Sequence, residues 1–284
     1  MQPGTDEGDE MKKRLAVFLF VALAGLGDGP AFAEAELKLD RAPIDVRNTS
    51  SLQVGARTFA DYCLNCHSAS LMRYKRLMDL DLSEQQIKDN LMFTAEKKVG
   101  QMMDISISRP DAKSWFGAVP PDLSVIARLR GADWLYTYLR TFYRDPSSSN
   151  GWNNMVFERV GMPHVLWQLQ GESVLDVREF KTKKEAEAAQ IQVKSFSVVE
   201  EMAGEPGSKE SARYALKSIK IEKPGVLSQP QYDETIRDLV NFLVWMGEPN
   251  QVFRKQVGII VMFFCLIFVL LTWFLYKEFW KDVH

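Results

Sequence analysis

Apolar side chains recur at helical spacing in several stretches of this 284-residue chain, separated by polar and proline-containing segments. Side chains three or four positions apart share one face of a helix, so each set predicts a helix that buries that face. The pattern therefore predicts a mainly α-helical domain. The clearest sets are Val54, Phe59 and Tyr62; Trp134, Leu135, Tyr138, Leu139 and Phe142; and Ile236, Leu239, Val240, Leu243 and Val244.

Two further stretches are continuously apolar. The first, residues 15–26, follows three basic residues at positions 12–14 and precedes a small-x-small pattern at residues 31–33. This arrangement predicts a signal peptide over residues 1–33, cleaved at its C-terminal end. An uncleaved anchor is the alternative, but the run is too short to span a bilayer. Signal peptides begin with a basic region, whereas the first ten residues are acidic, so Met11 is a candidate for the true start.

The second apolar stretch, residues 257–276, holds no charged side chain over twenty positions. Its length matches the hydrocarbon core of a bilayer, and Trp273 and Tyr276 lie where interfacial aromatic residues are usual, so it predicts a transmembrane helix. Basic residues flank both ends and do not orient this helix. The signal peptide orients it instead: residues 34–254 are predicted to form an exported domain, and residues 255–284 an anchor with a short cytoplasmic tail.

Charge is distributed unevenly along the chain. Residues 172–223 hold twenty charged side chains among fifty-two, which predicts a solvated helix, a hairpin or a partly mobile insertion. A docking surface is the alternative there. The predicted signal peptide contains five acidic and three basic residues, a net charge of −2 that equals the formal value of the whole chain. The mature protein is therefore formally neutral, and its net charge indicates no partner and no nucleic acid.

The strongest chemical signal is the run Cys63-Leu64-Asn65-Cys66-His67, a C-x-x-C-H motif. Two thiols at this spacing can both reach the vinyl groups of one haem, and the following imidazole can lie under its iron. The motif therefore predicts one covalently bound haem c, with Cys63 and Cys66 as thioether anchors and His67 as the proximal axial ligand.

Two cysteines at this spacing also occur in three other kinds of site. A zinc site would need two more cysteine or histidine ligands nearby, and the chain offers only Cys265, His164 and His284 besides. A thioredoxin-like redox pair would not need the histidine, and it would lie in a βαβ unit that the pattern does not contain. A structural disulfide is the third alternative.

A haem iron held by one histidine takes a sixth ligand or keeps an open site. Met162 lies in Gly161-Met162-Pro163, where glycine permits a close approach and proline restricts the backbone. A thioether is a soft donor that favours ferrous iron and excludes oxygen, as an electron carrier requires. The residues by themselves leave these alternatives open: Met155, Met102, Met103 and His164.

A proline-rich turn precedes another helix signal. Pro120 and Pro121 exclude helix and hold the backbone extended, which suits a rigid wall against a flat cofactor. Asp122 and Ser124 are typical of a helix N-cap, so they predict a capped helix start, and the helix continues to Gly131.

Five groups of residues combine into one pattern: Cys63-x-x-Cys66-His67-Ser68 with Tyr74 and Leu77; Trp115-Phe116-Gly117; Pro120-Pro121-Asp122-Leu123-Ser124 with Arg128 and Arg130; Gly161-Met162-Pro163; and Asp238-Leu239-Val240-Asn241-Phe242-Leu243 through Trp245 to Glu248-Pro249. Over nearly the whole mature chain, this pattern resembles the bacterial type of the cytochrome c1 family, the haem subunit of the cytochrome bc1 complex (ubiquinol-cytochrome c oxidoreductase). The resemblance implies that Met162 is the sixth ligand, that Pro121 lies against the haem and that Arg130 neutralises a haem propionate.

The same resemblance implies a mainly α fold, a cytochrome c type haem domain with insertions plus one C-terminal transmembrane helix. It also implies a function without catalytic residues: one electron taken from a Rieske [2Fe-2S] protein and passed to a cytochrome c. Cytochrome b and membrane lipid are the other implied partners, in a dimeric complex. The haem domain would lie in the periplasm and the C-terminus in the cytoplasm, on either side of a bacterial inner membrane.

Two other functions fit parts of the pattern. An anchored c-type cytochrome of a terminal oxidase, or a free-standing electron carrier, would not purify with cytochrome b and a Rieske protein. A haem peroxidase or gas sensor would keep an open or displaceable sixth site, and would bind carbon monoxide readily when reduced.

Overall fold

The computed structural model describes residues 38–93, 98–105, 107–193, 195–202 and 213–282. The predicted signal peptide lies outside the described residues, and its cleavage remains a prediction. The helices confirm the predicted mainly α fold. In chain order they are α1 (Thr49–Thr58), α2 (Glu84–Leu91), α3 (Arg109–Phe116), α4 (Ile126–Arg130), α5 (Ala132–Arg140), α6 (Trp167–Gln170), α7 (Lys183–Gln190), α8 (Gln229–Gly247) and α9 (Gln251–Phe279), with a 3-10 helix at Tyr74–Leu80.

Short antiparallel strands complete the fold. The strands are β1 (Ala69–Arg73), β2 (Met102–Met103), β3 (Phe142–Arg144), β4 (Trp152–Asn154), β5 (Gly171–Phe180), β6 (Ser197–Met202) and β7 (Arg213–Pro224). Two pairs, β1 with β2 and β3 with β4, lie among the helices, and a three-stranded sheet of order β5-β7-β6 follows them in the chain.

The hydrophobic core forms where α1, α4 and α5 pack against α8. Phe59, at the end of α1, is fully buried, and its ring centroid lies 5.6 Å from that of Phe242 on α8. Tyr232 is also fully buried, and its hydroxyl donates a 2.8 Å hydrogen bond to the Leu139 carbonyl of α5. Burying the hydroxyl costs little because it is paired. The predicted helix after Ser228 is therefore the central packing element of the domain.

Two details of the predicted helices are wrong. Val54 is exposed, and the buried face of α1 is formed by Leu52, Gly55 and Ala56 instead. The helix predicted to reach Phe142 ends at Arg140, because Phe142 pairs with Asn154 in the β3–β4 ladder. Helical periodicity alone could not locate this end, because a buried side chain that starts a strand continues the same apolar pattern.

Charged side chains tie the N-terminal segment to α5 and α8. The guanidinium of Arg140 lies 2.7 Å from a carboxylate oxygen of Asp40 and 2.7 Å from one of Asp233. It also lies over the ring of Tyr136, 4.4 Å from the centroid. Because the Arg140 side chain is mostly buried, these partners compensate the loss of its hydration.

Gly55 marks the closest approach of α1 to α8. A Cβ atom at this position would lie 2.0 Å from the carbonyl oxygen of Asp238 and 2.7 Å from the Cβ of Phe242. We expect Gly55→Ala to lower the free energy of unfolding by about 2–3 kcal/mol through overpacking, although alanine gains ~1 kcal/mol over glycine in helix propensity. Gly100→Ala is the control, because a Cβ there meets nothing within 4 Å. Denaturant unfolding that gives equal stabilities for both variants would contradict this close packing.

The charged stretch 172–223 folds into most of the three-stranded sheet, with α7 packed against it. Of the three predicted structures, the hairpin is the nearest, because β5 and β7 pair along their length and β6 adds to the other side of β7. Ala186, Ala215 and Leu216 form a small buried layer, whereas the charged side chains remain solvated or pair across strands, as Lys217 does with Glu200. Strands can hold this many charges because alternate side chains face water.

Helix α9 is the one described helix that is long and apolar enough to cross a membrane. It has 29 residues, about 44 Å at 1.5 Å per residue, and its apolar side chains are exposed to the surroundings. Lys277 lies 4.4 Å from the ring centroid of Trp273 near its C-terminal end, an arrangement typical of a membrane interface. The helix therefore fits a single-pass membrane anchor.

Candidate haem site

The two cysteines of the motif lie on a wide helical turn that continues α1. The segment Phe59–Cys63 is π-helical, and it is anchored by the fully buried side chains of Phe59 and Ala60. The backbone amides of Cys66 and His67 then both donate to the Cys63 carbonyl, at 3.1 and 2.9 Å. These bonds fold the motif into one compact turn, so that its two thiols and its imidazole are presented close together.

Both thiols are free and partly buried. Burial raises the pKa of Cys63, helped by the nearby Cys66, and burial also raises the pKa of Cys66. The two groups are therefore neutral thiols near pH 7, each with a sulfur that can form a thioether. Cys265 lies instead on the exposed surface of the membrane helix α9.

His67 is held by a contact to the proline turn. Its Nδ1 lies 2.8 Å from the carbonyl oxygen of Pro121. A carbonyl can only accept, so Nδ1 carries the hydrogen and Nε2 carries the lone pair. Burial lowers the pKa of His67, although the Pro121 carbonyl and Asp122 oppose this shift. The result is a neutral imidazole whose ring is fixed at one nitrogen and can coordinate a metal with the other.

The proline turn is clamped to the segment that follows His67. Ser70 and Ser124 donate their backbone amides to the Asp122 carboxylate, each at 2.8 Å. The amide of Leu71 donates to the Ser124 hydroxyl at 3.0 Å, and that of Leu123 donates to the Ser68 carbonyl at 2.8 Å. This clamp fixes the Pro121 carbonyl in place.

The predicted N-cap role of Asp122 and Ser124 is wrong. Helix α4 begins at Ile126, after Val125, and no side chain caps it. The two polar side chains instead accept hydrogen bonds from the backbone amides of residues 70 and 71. The first amides of a helix are donors of the same kind, so a cap-like sequence cannot tell whether its side chains will bond a helix start or a distant loop.

Asp122 gives a pH-dependent prediction. Burial acts to raise the pKa of Asp122, but hydrogen bonds from Ser124 and Ser70 outweigh burial and hold the pKa below its usual value. The hydrogen bonds to the ionised Asp122 carboxylate thus stabilise the folded state fully at pH values above the unfolded-state pKa of about 3.9. This stabilisation is lost as the pH falls through the lower folded-state pKa. We expect Asp122→Ala to lower the free energy of unfolding by about 1 kcal/mol at pH 7, with a smaller difference below about pH 3. Denaturant unfolding at both pH values measures this; a difference that is independent of pH would contradict it.

Met162 lies in a loop that is fixed at several points. Asn150 donates its side-chain amide to the carbonyls of Val160 and Gly161, at 3.2 and 2.9 Å. The Met162 side chain packs against the hydrophobic core, and its Sδ lies 3.5 Å from the Tyr138 hydroxyl. Burial raises the pKa of Tyr138, so this hydroxyl keeps its proton. The sequence pattern predicts Tyr138 only as part of a buried helix face. The contact of its hydroxyl with this loop is not predictable from that pattern.

The alternative donors differ from Met162 in their surroundings. His164 is 2% exposed, and its ring stacks on Phe142 with centroids 4.9 Å apart and planes within 4°. Burial lowers the pKa of His164 to about 4, so it is neutral. Met103 is fully buried in β2, whereas Met102 and Met155 are half-buried like Met162. His164 and Met103 therefore face packed surroundings rather than an open surface.

Arg130 ends α4 beside a row of aromatic rings. Its guanidinium lies 5.0 Å from the ring centroid of Trp134 and 5.9 Å from that of Phe157. Trp134 in turn stacks on Tyr138, 4.7 Å away. The charge of Arg130 therefore lies over this aromatic row.

The donor groups together suit a haem. Cys63, Leu123, Trp134 and Met162 all pack on the same hydrophobic core, so the motif, the proline turn, the aromatic row and the methionine loop share one support. Apolar side chains on the same segments remain exposed, including Leu129. Two thiols, a neutral imidazole, a thioether and a cation, on segments that share this core, match the chemistry of a flat apolar ring with an iron centre and acidic substituents.

Comparisons with known proteins agree with this chemistry. Residues 41–191 and 228–283 match the model of the Cytochrome C1 family. A cytochrome c1 of Allochromatium vinosum is 39% identical over 274 residues, which cover 95% of this chain and 98% of that protein. The ammonia monooxygenase gamma subunit of Nitrosomonas europaea is 43% identical over 249 residues, which cover 88% of this chain and 90% of that protein. The family model passes over residues 192–227, which include β6 and β7.

The fold, the site and these matches define a membrane-bound, haem-containing electron-transfer protein with a C-terminal anchor helix. More particularly, the chain belongs to the cytochrome c1 family. Members of this family are the electron-transfer haem subunits of bc1-type complexes, and the family implies haem c as the cofactor.

Proposed function

We propose that this chain takes one electron from a Rieske [2Fe-2S] protein and passes it to a cytochrome c acceptor, within a dimeric quinol-cytochrome c oxidoreductase that also contains cytochrome b. The observation that carries the proposal is the 2.8 Å contact between His67 Nδ1 and the Pro121 carbonyl. It gives the histidine of the C-x-x-C-H turn the tautomer and the fixed orientation of a metal ligand. Family membership supports the setting in a bc1-type complex.

The residues divide into two ligand groups in this proposal. Cys63 and Cys66 would hold one haem c through two thioethers, because each S–H can add across a vinyl group with nothing released. His67 and Met162 would bind its iron. When bound, the haem would supply a single centre that accepts and releases one electron. With both of these iron ligands from the protein, no substrate bond would be made or broken, and no side chain would need a catalytic role.

Pro121 and Arg130 have supporting roles. The Pro121 carbonyl orients the His67 imidazole, and the Pro121 ring would form part of a wall against the haem. Arg130 places its charge over Trp134 and Phe157, where it would neutralise a haem propionate. A guanidinium is suited to this role because it stays charged and donates to two carboxylate oxygens at once.

The topology follows from the predicted signal peptide and the anchor. Residues 1–33 would direct export and be removed, which places residues 34–254 in the periplasm. Helix α9 would then cross the inner membrane once, in contact with lipid, and leave the last residues in the cytoplasm. Arg254 and Lys277, near the two ends of α9, are compatible with polar surroundings on both sides.

A second function is favoured by one observation. The relative from Nitrosomonas europaea carries the name ammonia monooxygenase gamma subunit, so a similar chain is named as a subunit of a different enzyme. The alternative for this protein is an anchored c-type cytochrome that serves another complex, such as a terminal oxidase, or that acts as a free-standing electron carrier.

Gentle detergent purification of the full chain from its native membrane distinguishes these functions. The bc1 proposal predicts that cytochrome b and a Rieske protein co-purify with it, as identified by peptide mass spectrometry. Co-purification with oxidase or monooxygenase subunits in place of cytochrome b would favour the alternative. Isolation of the chain by itself, from membranes in which cytochrome b and the Rieske protein remain assembled together, would contradict the bc1 proposal.

A further inference from the structure

Two basic side chains of the haem domain reach the turn that joins it to the membrane helix. Arg76, in the 3-10 helix, donates a 2.8 Å hydrogen bond to the side-chain carbonyl of Asn250, which lies between α8 and α9. Arg128, on α4, lies against the end of α8, because a Cβ atom added at Gly247 would be 3.4 Å from its Cγ. Segments that are distant in the chain therefore bring two guanidinium groups to this junction.

The first turns of α9 add two more cations at the same place. Arg254 donates to both carboxylate oxygens of Glu248, which follows α8. The hydrogen bond from Arg254 lowers the pKa of Glu248 against the opposing effect of burial, and the positive charges of Arg128 and Lys255 lower it further. These cations from α4 and α9 thus lie close enough together to act on one carboxylate.

Acidic side chains compensate only part of this positive charge. Asp79 pairs with one of the four cations, at 2.9 Å, and Glu248 pairs with another, whereas Arg128 and Lys255 are exposed. These four basic and two acidic side chains give the junction a net charge of +2. We call the basic set the junction cations: Arg76, Arg128, Arg254 and Lys255.

The junction cations lie at the depth where a bilayer has its phosphate groups. The uncharged run of α9 begins at residue 257, two positions after Lys255, which is about 3 Å along a helix. That run would fill the hydrocarbon core, so the junction cations would lie just outside it, among the lipid headgroups. An anion held at this depth is therefore most simply one that the membrane itself supplies.

We propose that the junction cations bind the phosphate group of an anionic membrane phospholipid. A guanidinium can donate two parallel N–H bonds to one phosphate, which suits arginine to this role. Because Arg76 and Arg128 belong to the haem domain and the other two cations to the anchor, one bound headgroup would join the two parts. The inference depends on α9 as a membrane anchor, and it does not depend on which residues bind the haem iron.

Native mass spectrometry of the purified full-length holoprotein, titrated with lipid in detergent, tests the proposal. Phosphatidylglycerol is the anionic probe, and phosphatidylcholine with the same acyl chains is the zwitterionic one. We expect phosphatidylglycerol to bind the wild type about tenfold more tightly. The double variant Arg76→Gln with Arg128→Gln should bind phosphatidylglycerol about tenfold more weakly than the wild type and phosphatidylcholine equally well.

Lys183→Gln with Lys184→Gln is the matched control, because it removes the same charge from α7, outside the junction. It should keep the lipid preference of the wild type, as should Arg76→Lys with Arg128→Lys, which retains both charges. The haem absorption spectrum checks that each variant is folded. If the double glutamine variant does not fold, the single variants Arg76→Gln and Arg128→Gln decide, and wild-type lipid binding by both would overturn the proposal.

Three other results would also overturn the proposal. The first is equal affinity of the wild type for the two lipids, and the second is an equal loss in the Lys183 and Lys184 control, which would show only a general effect of charge. The third is release of phosphatidylglycerol by inorganic phosphate but not by potassium chloride at the same ionic strength. That result would assign the junction to free phosphate rather than to a lipid.

Discussion

The Met162→Leu variant is expected to keep its haem but to show a midpoint potential lower by about 0.1 V or more, within the roughly 0.8 V over which axial ligands move haem potentials. Leucine has nearly the volume of methionine, so the packing of the loop on the core should change little. It offers no lone pair, so the preference of the thioether for ferrous iron is lost. Redox titration of the purified variant, followed in the visible spectrum, measures the shift.

The same variant opens the sixth position, which a second measurement can detect. Reduced Met162→Leu should bind carbon monoxide readily, whereas the reduced wild type should not. Met155→Leu is the control, because Met155 is a half-buried methionine of the preceding segment, and its backbone amide bonds the Thr141 carbonyl. A wild-type potential in Met162→Leu, or a shift in Met155→Leu instead, would remove Met162 as the ligand. Ready carbon monoxide binding by the wild type would favour the gas-sensor or peroxidase alternative.

Loss of both motif cysteines should abolish covalent haem attachment. In the double variant Cys63→Ser with Cys66→Ser, hydroxyls replace the thiols in the same turn, and a hydroxyl does not form the thioether. Denaturing gel electrophoresis with a haem stain is expected to show no signal at the position of the chain. Either single variant keeps one thioether partner, and we expect it to show a reduced signal.

Cys265→Ser is the control for the cysteine variants, because Cys265 lies on the membrane helix and should not affect haem attachment. A haem-stained band of wild-type intensity in the double variant would show that the cofactor is held in some other way. Equal loss of signal in the Cys265 variant would point to a general defect of the chain rather than to the motif.

Much of the fold was accessible from the sequence because it depends on local patterns. The apolar faces of α5 and α8 and the uninterrupted apolar run of α9 each repeat at a spacing that a helix dictates. The C-x-x-C-H motif is likewise local, since five consecutive residues form one turn. Features of this kind need no knowledge of which distant segments meet.

The remaining features depend on contacts between distant segments. His67 meets the Pro121 carbonyl across 54 positions, and Tyr138 meets Met162 across 24. No periodicity marks such pairs, so the sequence pattern by itself predicts only a helix cap for Asp122 and a buried helix face for Tyr138. The fold of the charged stretch 172–223 also depends on distant contacts, because β5 and β7 pair residues from 34 positions apart (Phe180 with Tyr214) to 53 positions apart (Gly171 with Pro224). Sequence composition alone could not reveal the pairing of β5 with β7.

The most direct test of the electron-transfer function uses the gently purified complex and two additions. A quinol should reduce the c-type haem of this chain, as seen in the reduced-minus-oxidised difference spectrum, and ferric cytochrome c added afterwards should reoxidise it. If a quinol leaves this haem oxidised while a strong chemical reductant reduces it, the chain does not receive electrons from quinol oxidation and the proposed function is wrong.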